Sequence, residues 1–530
     1  MLKRVWSHKL ILILVLAAFL RLFWLDRVPP ALNWDEVSMG YTAYTIGETG
    51  MDEWGSRMPL LFRSYGEWKS AVYIYLLVPF IKILGLNAWA VRLPSALAGI
   101  LAVYLTYLLG KKLYNHKVGL WGALFLAISP WHLLLSRPAF EANVSLTLIL
   151  AGLYLFLHNR YLWSAVFFGL APHTYNSAKV VVPLLALYLI WSTKLHKNLK
   201  QLVIFLFILA LFATPLLIDM FSGRTQFRYS QVGVSTNQTA LAEFVNYRQN
   251  PTIPKLAGKL IFNKYTYSLH QFSANWLTYL NPSFLLIEAG DHKQHHVPYF
   301  GVLYLAEFIF LLFGLRSLKQ YSSSTKYLPL VIIGLGIIPA ALTRDQGHVL
   351  RSLLTLPGWQ LLAGLGASSL ALPWRRIILW LFGLQSLIFI LAYFFWYPKA
   401  FARDWQYGYK EVAEYLRQHE SEYSQIVMTK WYGEGQLFLA FYNRWDPRWY
   451  IEANLPNLEY ERQGKLWLDQ LSEYSLGKYT FKYLDYANEK RTKDILYIGK
   501  ADDFFENPTT MKTIYFPDGS VAFHLMAGDK

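Results

Sequence analysis

Asn33-Trp34-Asp35-Glu36 puts two carboxylates side by side just after the first long apolar run, 10–25. Ionised groups close to lipid are costly, so acids kept there need a reason. One reason is chemical: Asp35, with Glu36 beside it, is a general base that takes a proton from an acceptor hydroxyl. The other is structural, because acids in the first turn of a helix satisfy its exposed amides and its dipole. Spacing leaves both open. Gly66-Glu67-Trp68-Lys69 adds either a second acid with a cation for substrate or an ordinary solvated loop. Arg137 and Glu141, then His173 and Lys179, then His348 and Arg351 follow at the ends of later apolar runs. Such cations either hold a lipid-borne phosphate through charge-assisted hydrogen bonds or extend to lipid headgroups. Asp291-His292-Lys293-Gln294-His295-His296 has the donors for a divalent cation. Lys293 and the tight spacing argue against one, so no metal is assigned, although a divalent cation is compatible with the cluster.

The composition says what must position these groups. Of 530 residues, 54% are hydrophobic and only 16% charged, against about 25% charged in soluble domains. This excludes a disordered chain, a secreted disulfide scaffold and a cytosolic enzyme. The net charge of +16 is uneven, because residues 397–530 hold 17 Lys/Arg against 20 Asp/Glu. The basic excess therefore lies wholly in the apolar part, as cytoplasmic loops rich in Lys and Arg produce; nucleic acid is not the expected partner. Cysteine is absent, which removes disulfides and thiolate chemistry.

Apolar stretches near 10–25, 92–110, 118–136, 143–158, 161–174, 178–193, 201–219, 299–315, 327–342, 349–370 and 377–396 predict about 11 spans. Residues 71–85 decide the direction. If that stretch is juxtamembrane or re-entrant, Lys111, Lys112, Lys117, Arg160, Lys194, Lys197, Lys200, Arg316, Lys319 and Lys326 all fall inside, as the positive-inside bias requires. The outer face then collects 26–70, 137–143, 172–179, 221–298 and 343–351. Residues 397–530 join them as a soluble α/β domain, with a helix over 409–418, strands at 424–429 and 494–498, and a hairpin over 513–525. The expected architecture is an all-α polytopic membrane bundle (1–396) with outer loops 26–70 and 221–298, followed by this small domain.

The acid pair, the Arg92-Leu93-Pro94-Ser95-Ala96-Leu97-Ala98-Gly99 helix start, the segment from Ser129-Pro130 to Glu141 and the stretch His348…Arg351…Pro357 together resemble the GT-C membrane glycosyltransferases. The closest branch is the protein O-mannosyltransferase and aminoarabinose transferase group, glycosyltransferase family 39 and its bacterial relatives. The resemblance runs over about residues 8–396 and implies a seven-helix module before residue 221. It implies that Asp35 is the catalytic base. It also implies that Arg137, Lys179, His348 and Arg351 contact phosphate, with Glu67, Lys69 and Glu141 aligned to family positions; His173, at the outer end of a span, is read as a further substrate contact from its position. Glu67-Trp68-Lys69 departs from the family's Glu-Lys-Pro segment by an extra Trp and a missing Pro.

The function expected is an inverting glycosyltransferase that moves a sugar from a polyprenyl-phosphate donor to a lipid, glycan or protein acceptor. It would act at the outer face of a prokaryotic plasma membrane and require no cofactor. The competing readings are a multi-span transporter or flippase, and an envelope polysaccharide polymerase or ligase.

Overall fold

The computed structural model describes residues 2–66, 68–221, 232–504 and 511–528; Glu67 and the start of the loop after residue 221 lie outside them. Apolar helices form at each stretch expected to be helical, from Leu2–Leu22 to Leu372–Leu391. Among the described residues three helices are long and apolar enough to cross a membrane: Ala88–Leu113, Leu199–Phe221 and Leu372–Ala400. Others are shortened by breaks at their polar ends. Ser129 caps a short helix that Pro130 opens, ending His116–Ile128 early. Pro172 turns the end of Tyr161–Leu170 into a 3₁₀ turn. The segment over 71–85 is a helix, Ala71–Leu84, of 14 residues. It rises about 21 Å, less than the roughly 30 Å of a hydrocarbon core.

The chain divides into two compact units. The first comprises Met1–Arg21, Ala96–Ser136 and Phe140–Ile390. Its tightest crossing joins Leu305–Ser317 to Gly358–Ser369, and glycine makes the crossing possible. A Cβ on Gly366 would lie 1.8 Å from the Phe310 carbonyl oxygen, and one on Gly314 would lie 1.9 Å from that of Leu362. Small residues at such crossings let backbones approach where lipid supplies no hydrophobic drive between helices. Between Leu328–Ala341 and Gly358–Ser369 the chain leaves α-helical geometry, apart from a 3₁₀ turn at Leu353–Thr355. There Asn275 donates to the Thr343 carbonyl at 2.6 Å, and Arg344 N–H donates to that of Val232 at 2.8 Å.

The second unit comprises Leu22–Ser95, Arg137–Ala139 and Leu391–Lys530. It unites the first loop with the C-terminal domain. Strands β1 (Leu61–Arg63) and β2 (Trp68–Ser70) form an antiparallel hairpin. The C-terminal sheet contains β3 (Gln425–Thr429), β4 (Glu473–Leu476), β5 (Tyr479–Lys482), β6 (Ile495–Gly499), β7 (Lys512–Tyr515) and β8 (Val521–Ala527). Their order is β4-β5-β3-β6-β8-β7. β3 runs parallel to β5 and β6, and the other pairings are antiparallel. The helix Tyr409–His419 precedes β3, so the expected helix, strands and hairpin are present. The β4–β5 hairpin is an addition.

Gly366→Ala is expected to destabilise the protein by about 1–3 kcal/mol, because the colliding atom is backbone. Gly383→Ala, whose added carbon meets nothing within 4 Å, leaves the thermal midpoint unlowered. Melting curves of the two variants in the same membrane mimetic check this.

Candidate active site

In the second unit the acid pair splits. The helix Trp34–Thr49 begins after Asn33, whose side chain accepts the Glu36 N–H at 2.9 Å while Glu36 Oε2 accepts the Asn33 N–H at 3.1 Å. This reciprocal cap satisfies two orphan amides. Glu36 is fully buried and also meets Arg92 in a fork, with Nε to Oε1 at 2.8 Å and Nη2 to Oε2 at 3.0 Å. The Ala139 N–H adds a fourth bond, 2.9 Å to Oε1. Both oxygens are thus fully subscribed, and a catalytic role for Glu36 is corrected to a structural one. Arg92 spends its remaining donors on the carbonyls of Leu25, Pro29 and Ala31.

Arg137 requires the same correction. It is buried, donates to the carbonyls of Phe23, Trp24 and Val28 at 2.8–3.1 Å, and lies 4.8 Å over the Phe394 ring. A guanidinium so enclosed holds the chain leaving the first helix and does not offer itself to a phosphate.

Asp35 differs from its neighbour. It is 36% exposed, and its Oδ1 lies 2.6 Å from Nζ of Lys69. Lys69 is buried on β2, its ammonium 5.2 Å over the Tyr65 ring. Tyr65 in turn donates to the Trp34 carbonyl at 3.0 Å and stacks on Trp34 at 5.0 Å. Two further acids of this unit escaped the sequence reading. Glu53 is buried and accepts from Thr42 at 2.7 Å. Burial, aided by Asp52, pushes its pKa up to about 8. Glu434 is raised well above the usual range by burial and by Asp469.

In the first unit, His348 and Arg351 come together with the loop histidines. The rings of His292 and His295 lie 4.7 Å and 4.9 Å from that of His348 and 5.4 Å from each other. The His348 N–H donates to the Tyr279 hydroxyl at 3.0 Å, and the Arg351 N–H donates to His348 Nδ1 at 3.3 Å. Burial lowers the pKa of His292 and His295. Arg351 Nη1 donates to Asp345 at 2.7 Å and to Thr343 at 3.0 Å. His296 faces elsewhere, pairing with Glu288 at 2.8 Å. Among the described residues no group of three His, Cys, Asp or Glu side chains is placed to hold a metal ion. Glu141 opens the helix Glu141–Leu157. His173 donates to the Phe212 carbonyl at 2.7 Å, and Lys179 donates to Asn176 at 2.7 Å. Neither is drawn into the histidine cluster by these bonds.

Removing one partner of a buried ion pair costs about 3–5 kcal/mol. Glu36→Ala is therefore expected to lower the thermal midpoint strongly, whereas Asp35→Asn, at a partly exposed site, leaves it nearly unchanged. The pH dependence of folding tests Glu53. Between its ordinary value of 4.5 and about 8, the folded state holds a proton that the unfolded state has released. Stability therefore falls as pH rises through that window and levels off above it. Glu53→Gln should flatten this slope, gaining thermal midpoint over the parent above pH 8 and not below pH 4.5.

Residues 69–218 match a family model described as dolichyl-phosphate-mannose-protein mannosyltransferase. No curated protein sequence matches the chain. Among solved structures, apo ArnT from Cupriavidus metallidurans is 11% identical, each chain covering 100% of the other, at a TM-score of 0.55. The same protein bound to undecaprenyl phosphate gives 11% identity, 99% coverage of each chain and a TM-score of 0.53. The oligosaccharyltransferase AglB from Archaeoglobus fulgidus, in complex with an inhibitory peptide and a dolichol-phosphate, is 12% identical at a TM-score of 0.48. That match covers 83% of this chain and 64% of AglB, so this chain spans less than two thirds of AglB's length. Residues 69–218 thus resemble the mannosyltransferase family, and the chain shares the fold of ArnT along its whole length.

Proposed function

We propose that the protein transfers a sugar from a polyprenyl-phosphate carrier to an acceptor hydroxyl at the outer face of a prokaryotic plasma membrane, inverting the anomeric carbon. The observation that carries this reading is Asp35. It is a partly exposed carboxylate in the first turn of a helix, and one oxygen is fixed by a buried lysine. Its second oxygen, Oδ2, takes the proton as the acceptor oxygen bonds to the anomeric carbon. The bond from that carbon to the phosphate breaks on the opposite side, and polyprenyl phosphate leaves with the electron pair.

Arg351 and His348, with Lys179, meet the charge that grows on the departing phosphate. Such preorganised electrostatic stabilisation is usually the largest single contribution, and the positioned base adds about 10²–10⁴-fold. ArnT of C. metallidurans binds undecaprenyl phosphate, which supports a polyprenyl carrier here. The scheme needs neither nucleotide nor metal. With about 11 spans and an inside N-terminus, residues 26–70, 221–298 and 343–351 and the domain from 397 lie outside, in keeping with the Lys and Arg bias of the opposite loops.

Asp35→Asn, assayed with a polyprenyl-phosphate sugar, should lose about 10²–10⁴-fold in kcat without loss of folded protein. Undiminished turnover in correctly folded variant protein rejects Asp35 as the base.

A further inference from the structure

Around Trp34, the residue that precedes Asp35 in the chain, the second unit contains a cleft of about 490 Å³, within the usual range for small-ligand sites, about 300–1,000 Å³. Trp34, Trp431, Trp467 and Tyr483 make its aromatic walls. Trp431 and Tyr483 are 58% and 63% exposed, so two large rings stand in water on the same cleft, where burying them against a ligand is favourable. Trp34 is a fixed wall. Tyr65 stacks on it, and the Gly433 backbone comes so near that a Cβ there would lie 2.9 Å from the indole. Trp431 and Tyr483 each carry a lysine on the ring, with Lys500 Nζ at 4.2 Å and Lys430 Nζ at 4.7 Å.

The cleft is built rather than incidental. Gln406 accepts the Trp34 N–H at 2.8 Å and donates to the Tyr432 carbonyl at 2.7 Å, tying the turn that bears Asp35 to the aromatic loop. Asp469 accepts the Glu434 N–H at 2.6 Å and the Tyr474 hydroxyl at 2.7 Å, which holds the other side of that loop. Lys430 is committed to the carbonyls of Asp469 and Leu471. Exposed polar groups remain on the rim. Ser472 keeps its hydroxyl, and Gln470 gives its amide oxygen to the Leu466 N–H at 2.7 Å and retains its NH₂ to donate.

We infer that this cleft binds a neutral sugar ring of a glycan acceptor and delivers its hydroxyl to Asp35. A pyranose has a C–H face that lies on an aromatic ring and a rim of hydroxyls that needs amide and hydroxyl partners; the cleft supplies both. A lipid tail would leave Gln470 and Ser472 unpaired, and an anionic group would find Lys430 already spent. The inference rests on the glycosyl-transfer reading and narrows its acceptor to carbohydrate.

Full-length protein in lipid nanodiscs free of glycoside detergent, probed by saturation-transfer NMR, tests it. The probes are methyl hexosides, methyl N-acetylhexosaminides and β-linked disaccharides. At least one is expected to give saturable transfer to its ring C–H protons. Trp431→Ala and Tyr483→Ala, both at exposed positions, should weaken that binding about tenfold or more, while Trp431→Phe retains it. Saturable transfer from none of the glycosides overturns the inference. So does transfer that is equal in wild type and both alanine variants, or transfer only to a Ser/Thr-rich peptide run alongside. Asp35→Asn should keep the sugar signal while losing turnover, so failure of the base assignment and failure of the cleft give different results.

Discussion

The pairing of Glu36 with Arg92 is the constraint on which the first loop depends. The chain that leaves the first helix runs through turns until Asn33 without regular structure, so its carbonyls have no ladder to bond to. Buried backbone oxygens must find donors. Two guanidiniums supply them: Arg92 gathers Leu25, Pro29 and Ala31, and Arg137 gathers Phe23, Trp24 and Val28. A buried cation is tolerable only when paired and hydrogen-bonded. Glu36 provides that pairing, and all five N–H groups of Arg92 are engaged.

That network also determines what Asp35 can do. Its neighbours on both sides are immobilised, Trp34 by its bonds to Gln406 and Tyr65 and Glu36 by four bonds. Adjacent helical residues point about 100° apart, so locking Glu36 inward turns Asp35 outward toward β2 and Lys69. Precision at Asp35 therefore derives from residues that never need to touch a substrate. The C-terminal domain contributes to the same end, since Gln406 bonds the Trp34 N–H that no turn of helix can satisfy. Its sheet carries the loops that border the Asp35 turn within the second unit.

Much of the helical architecture could be read from hydropathy, because runs of apolar residues have few alternatives near lipid. Asp35 stands out in the sequence for a similar reason, as an acid placed where acids are expensive. The roles of Glu36 and Arg137 were not, because a fully buried charge and a ligand-binding charge look alike in a string of letters. Only the partners separate them. The clustering of His292 and His295 with His348 was equally hidden: it depends on a fold that brings residues more than fifty positions apart to within 5 Å. The metal reading of the 291–296 cluster treated its histidines as one set, whereas His296 turns to Glu288. Glu53 and Glu434 gave no signal at all, since acids in polar loops are ordinary until a domain closes over them.

The order of the two acids matters more than their presence. Glu36 occupies the third helical position, where a side chain can reach back to the cap amide, and it must also span to a guanidinium from another helix. Glutamate is long enough to do both. Aspartate at 36 would be one methylene short of that double reach and would leave either the cap or Arg92 unsatisfied, each costly when buried. At position 35 the requirement reverses: a short side chain keeps the carboxylate close to the backbone, so few rotamers compete with the one held by Lys69. The pair thus assigns structure to the longer acid and leaves the shorter partly exposed beside Lys69. Environment, not residue type alone, makes that division hold, as it does wherever two carboxylates are set to different tasks.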